Sequence, residues 1–149
     1  MQTVMFTEPD LAKTFAEGAD DGGPVCMLNL LRYRAQADYA GHPEQPHRSG
    51  REAYQHYMGL AFPIIGKVGI RMIFMGTCLA HVIAPPAERW DDMLLVEYPT
   101  REVFVAALSM PEYRAVVFHR TAGLQDSRLI AFRGGALSVP LPAASSGAA

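Results

Sequence analysis

The sequence predicts an α+β fold with strands and helices in the order β-α-β-β-α-β. Three observations carry this. Val25 to Tyr33 and Met93 to Tyr98 are near-continuous apolar runs, interrupted inside by Asn29 and by Glu97, as strands buried on both faces read. A 100° periodicity follows Ser49, with a second one after Thr100. Arg71 to Ile83 and Gln125 to Phe132 supply a long strand after the first helix and a last strand after the second. This order is the ferredoxin-like split βαβ pattern, whose sheet order 4-1-3-2 makes strands 25–33 and 93–98 central.

Each element has a local reason. A short helix is expected over 8–18, opening near Thr7 or Pro9, and Asp20 to Pro24 is a turn cluster. Ala35 to Arg48 is polar and rich in Gly, Pro and His, so it reads as a loop. Ser49-Gly50-Arg51-Glu52 matches a capping box, and its helix extends to about Lys67. Ala53, Tyr54, Tyr57, Leu60, Ala61, Ile64, Ile65 and Val68 share its apolar face, and Pro63 on the polar side implies a kink. Pro85 and Pro86 end the 71–83 strand. Thr100 caps a helix with Val103, Phe104, Ala107 and Leu108 inward; Met110-Pro111 breaks it and starts the next piece. That piece ends at Gly123, read as a left-handed helix stop. Residues 1–24 read as an arm, 25–133 as the ferredoxin-like domain, and 134–149 as a small-residue tail without core signal.

Composition narrows the function classes. The chain has 149 residues, half of them hydrophobic, and a formal net charge of −2. That fits one domain and gives no electrostatic case for nucleic acid or an anionic membrane. No apolar run approaches the roughly 20 residues of a bilayer span, and the N-terminus lacks signal-peptide character. Cys26 and Cys78 sit in apolar runs and read as buried thiols. A cytoplasmic protein is expected. Helices cover one sheet face, yet the central strands are apolar on both sides. A second copy is the simplest cover, so a homodimer with sheets face to face is expected.

The segments Met27-Leu28-Asn29-Leu30-Leu31, Trp90-Asp91 to Leu95-Val96-Glu97-Tyr98-Pro99, Pro111-Glu112-Tyr113 to His119-Arg120, and Asp126-Ser127-Arg128-Leu129-Ile130 resemble the domain of unknown function 1330 family, within the dimeric α/β-barrel superfamily. The resemblance spans roughly residues 25–132. It implies a ferredoxin-like monomer that dimerises into a barrel, and it implies no reaction. Superfamily relatives include cofactor-free monooxygenases, haem-degrading enzymes, isomerases, lyases and non-catalytic binders. Met110 departs from the acidic or small residue expected before Pro111.

The densest polar cluster surrounds the last helix–strand junction: His119, Arg120, Gln125, Asp126 and Arg128. On a helical wheel His119 points inward, as an acid or base or as a buried neutral imidazole. Glu97 needs a partner, with Arg32, Arg71 or Arg128 the supply; it is a general base or half of a structural pair. Asn29 could donate to a developing oxyanion if register brings it near. Asp126 and Arg128 share one side of the last strand, as an ion pair or a pocket rim. Tyr54 and Tyr57 are core or pocket hydroxyls, and Trp90 walls a cleft or staples a loop. No HxH, HExxH or CxxC spacing points to a metal, and no cofactor is expected.

The preferred reading is a metal-free dimeric enzyme acting on a small organic acid or aromatic metabolite. His119, oriented by Asp126, with Glu97 and Asn29, would do acid/base chemistry. Arg71, Arg120 and Arg128, with Tyr54, Tyr57 and Trp90, would bind the ligand. The alternatives are a non-catalytic small-molecule-binding dimer, or a haem-binding or cofactor-free monooxygenase-like protein.

Overall fold

A computed structural model describes residues 22–135 and 142 of the chain. The expected helix over 8–18 and most of the tail lie outside the described residues. The elements are β1 (Val25–Tyr33), α1 (Gly50–Ile65), a 3₁₀ turn (Gly66–Val68), β2 (Arg71–Thr77), β3 (Asp92–Tyr98), α2 (Arg101–Ser109), α3 (Pro111–Arg114), α4 (Phe118–Gly123) and β4 (Leu124–Arg133). The sheet order is β2-β3-β1-β4, with every pair antiparallel. This is the ferredoxin-like βαββαβ arrangement, with its apolar runs at the centre.

Strict alternation divides β1 and β3. Val25, Met27, Asn29, Leu31 and Tyr33, with Asp92, Leu94, Val96 and Tyr98, face the helices and are buried. Cys26, Leu28, Leu30, Met93, Leu95 and Glu97 face the other way and are half-buried. Ser49 caps α1 by accepting the Glu52 N–H at 3.1 Å, and Thr100 caps α2 by accepting the Val103 N–H at 3.2 Å. The core lies between sheet and helices around Leu31, Tyr54, Leu94, Phe104 and Leu124.

Four expectations are corrected. β2 ends at Thr77, not Ile83, and Leu79, Val82 and Ile83 are almost fully exposed. An apolar run meets the criterion for a strand whether or not a neighbouring strand is there to pair with it. Cys78 is therefore exposed, and Cys26 is only half-buried. Leu60 and Val68 lie at the margin of the α1 stripe and are exposed. Finally, Gly123 ends α4 without a left-handed φ. Its lack of a side chain serves a close crossing instead: a Cβ there would sit 2.5 Å from the Gly50 carbonyl oxygen. Gly69, at φ +83°, is the glycine that makes the left-handed stop after α1.

Candidate functional site

The crossing of α4 over α1 builds two neighbouring clusters. Gly50 and Gly123 let the two backbones touch, with the Gly50 N–H bonded to the Arg34 carbonyl and the Arg34 N–H to that of Gly123. His119 and Arg120 then leave α4 about 100° apart and enter different surroundings.

His119 is buried, 4 % exposed, as its wheel position implied. Its Nδ1 lies 2.7 Å from the Tyr39 hydroxyl, whose oxygen accepts from Arg48 Nη1 at 3.2 Å. His56 meets its ring edge-on at 4.5 Å, and Phe118 and Tyr39 pack beside it. Burial lowers the His119 pKa to about 4, helped by the positive fields of His56, Arg48 and His42. The imidazole is therefore neutral at pH 7. Asp126 does not orient it: Asp126 Oδ1 accepts from Arg128 Nη1 at 2.8 Å and from the Ser127 N–H at 2.9 Å.

Arg120 points toward Tyr54 and Tyr57 of α1 and Tyr113 of α3. Tyr54 accepts a hydrogen bond from it, and the Tyr57 and Tyr113 hydroxyls are bonded to each other at 2.7 Å. The Tyr54 and Tyr57 rings lie 5.3 Å apart, and those of Tyr57 and Tyr113 6.1 Å apart. Burial works against the guanidinium charge, yet the tyrosine oxygens outweigh it and raise the Arg120 pKa. Burial likewise raises the tyrosines around it: Tyr54 to about 12, with Tyr57, Tyr98 and Tyr113 also above the usual range. All remain phenols at neutral pH. No carboxylate pairs with Arg120 among the described residues. It is a permanent cation surrounded by neutral donors, the electrostatics that favour an anionic guest.

The remaining candidates are dispersed. Asn29 faces the helices and its Nδ2 bonds the Met27 carbonyl at 3.3 Å. Glu97 sits on the opposite sheet face, paired with Arg71 at 2.5 Å and with the Gly135 N–H at 2.9 Å. Those donors lower its pKa. Asn29, Glu97, His119 and Asp126 thus form no single array within one chain. Arg128 lies over the Trp90 ring at 5.0 Å, so Trp90, 8 % exposed, is stacked and buried rather than lining an open cleft.

Sequence reasoning set Arg120, Tyr54 and Tyr57 in one binding group with Arg71, Arg128 and Trp90, which lie elsewhere, and missed Tyr113, Tyr39, Arg48 and the linked set Tyr33, Asp92 and Arg51. The Tyr33 hydroxyl donates to Asp92 Oδ2 at 2.6 Å, and Arg51 Nη1 to the same oxygen at 2.5 Å. Tyr39 sits in a loop, where no periodicity reports direction. No group of three or more His, Cys, Asp or Glu that could hold a metal lies among the described residues. No helix among them is long and apolar enough to cross a membrane.

No family model matches the chain, and no curated protein matches it. Two crystal structures of the RPA0582 protein from Rhodopseudomonas palustris, a protein of unknown function, are similar over nearly the whole length. One matches at 34 % identity and TM-score 0.78 over 90 % of this chain and 98 % of that one. The methylated form matches at the same identity and TM-score over 89 % and 95 %. A dimeric ferredoxin-like protein of unknown function from Bacteroides fragilis NCTC 9343 is similar at 15 % identity and TM-score 0.49, over 75 % of this chain and 97 % of that one.

Proposed function

This chain belongs to the same family as the RPA0582 protein of Rhodopseudomonas palustris, and from that premise and the geometry around Arg120 we propose that it is a homodimeric protein that binds a small organic acid. The segments around Asn29, Glu97, His119 and Asp126 support reading the chain as akin to the domain of unknown function 1330 family. Because the relative's own function is unknown, the reading rests on residues of this chain. One observation carries it: Arg120 is a half-buried cation held among phenols, with no carboxylate beside it among the described residues. Arg120 would take the carboxylate in bidentate fashion, and Tyr54, Tyr57 and Tyr113 would supply donors and aromatic walls. The homodimer is supported by the apolar outer sheet face, where Phe74, Ile130 and Phe132 are about half exposed.

The test is thermal unfolding and calorimetric titration with benzoate, 4-hydroxybenzoate and acetate, each against its uncharged amide. A carboxylate held at a hundred times its Kd stabilises by about 2.7 kcal/mol. The amides should give no shift, and Arg120→Met should remove the response. Equal shifts from acids and amides, or an unaltered response in Arg120→Met, would overturn the reading.

An enzymatic version is favoured by one further observation, the neutral imidazole of His119 with Tyr39 on its Nδ1. Acids that bind should then be assayed for turnover. His119→Ala would abolish it while leaving the dimer folded; unchanged turnover removes His119 from the chemistry.

A further inference from the structure

Residues 78–91, between β2 and β3, form a connection whose base is tightly fixed and whose tip is apolar. At the base the Cys78 N–H bonds the Asp91 carbonyl at 2.8 Å, and the Asp91 N–H bonds that of Leu31 at 2.7 Å. The Trp90 N–H donates to His81 Nε2 at 2.9 Å, and Trp90 Nε1 donates to Glu88 Oε1 at 3.0 Å. The Glu88 N–H closes a turn on the Pro85 carbonyl. With its base so held, the connection presents Leu79, Val82 and Ile83 at 97 %, 88 % and 97 % exposure. Aliphatic side chains held in water by an ordered backbone mark a contact surface.

The outer sheet face is the matching unpartnered surface. Two of its cations are paired within the chain, Arg71 with Glu97 and Arg128 with Asp126. Arg32 remains there without an ion pair among the described residues, and one cation is far short of the basic cluster that a nucleic acid or an anionic bilayer needs. The tip offers Leu79, Val82 and Ile83, the face offers Phe74, Ile130 and Phe132, and a two-fold axis uses each patch twice, as an interface of roughly 800 Å² per partner requires.

We propose that residues 78–91 are a clasp that seats Leu79, Val82 and Ile83 of one copy on the outer sheet face of a second copy. The clasp rests on the homodimer reading above and adds its own element: the connection, and not only the sheet, carries the association.

The test uses the full chain in sedimentation equilibrium, with circular dichroism to confirm folding. The clasp variant is Leu79→Ser with Val82→Ser and Ile83→Ser; the face variant is Ile130→Glu with Phe132→Glu. All five side chains are exposed, so both variants should fold. The clasp variant should weaken the dimer about a hundredfold, as expected when a buried hot spot is removed. The face variant should be monomeric. Hydrogen exchange of the unaltered chain should show 78–91 protected at high concentration and open on dilution. A clasp variant as tightly dimeric as the parent overturns the clasp and leaves the dimer standing. A parent that is monomeric at tens of micromolar, as when its own terminal segments cover the sheet, overturns both. A face variant that remains dimeric puts the interface elsewhere and overturns the clasp.

Discussion

Acidification should unfold this protein through His119. The imidazole is 4 % exposed, and its pKa of about 4 lies below the 6.5 of a free histidine. Between these values the unfolded chain binds a proton that the folded chain does not. Stability is therefore retained above about pH 6.5 and lost progressively as pH falls toward 4. A shift of this size corresponds to about 3 kcal/mol in full, of which about 2 kcal/mol is gone by pH 5. His56, whose pKa is also lowered, first by burial and then by Arg48, adds in the same direction. Urea unfolding at pH 7.5, 6, 5 and 4.5 measures the loss, with His119→Gln as the control that cannot titrate. The parent should lose about 2 kcal/mol more than the variant between pH 7 and 5. The His119 ring proton should show no titration step in NMR over that range. Parallel pH profiles, or a ring titrating near 6.5, would show that the imidazole is not held neutral by its surroundings.

Gly123→Ala places a Cβ against the Gly50 carbonyl and forces α4 away from α1; a loss of about 2–3 kcal/mol in urea unfolding is expected, and a neutral result would mean the crossing is loose. Arg120→Met removes a cation that the tyrosine oxygens favour more than burial disfavours it, so the ligand-free protein should lose about 1 kcal/mol in urea unfolding as well as carboxylate binding; unchanged or increased stability would show that the tyrosines do not hold the guanidinium. Thr100→Ala should cost about 1 kcal/mol by freeing the Val103 N–H, read as a fall in the thermal midpoint.

The distance at which each signal acts separates what was legible from what was not. Ser49 and Thr100 cap their helices because capping is decided within three residues. The strand order follows from the two-sided apolar character of β1 and β3, which is written in adjacent positions. Asn29 and Glu97 were legible as lone polar residues in central strands, but not as residues on opposite faces. That separation comes from the pairing of Cys26 with Glu97 and of Asn29 with Leu94, and register is a contact between distant segments. The inward turn of His119 followed from helical phase. Its partner did not, because Tyr39 reaches it across 80 residues. The over-long β2 has the same origin: 71–83 reads as one apolar run, and only the start of β3 at Asp92 shows where pairing stops.

The sequence by itself determined the element order, the caps and the core stripes. Periodicity, capping and helical phase are local and repeat along the chain. Only the tertiary structure decided that two glycines bring α4 onto α1, that Tyr113 closes the cage, and that Glu97 leaves it for Arg71. Those outcomes depend on which distant segments meet and at what register. Small changes in packing geometry select them, and no local pattern encodes them.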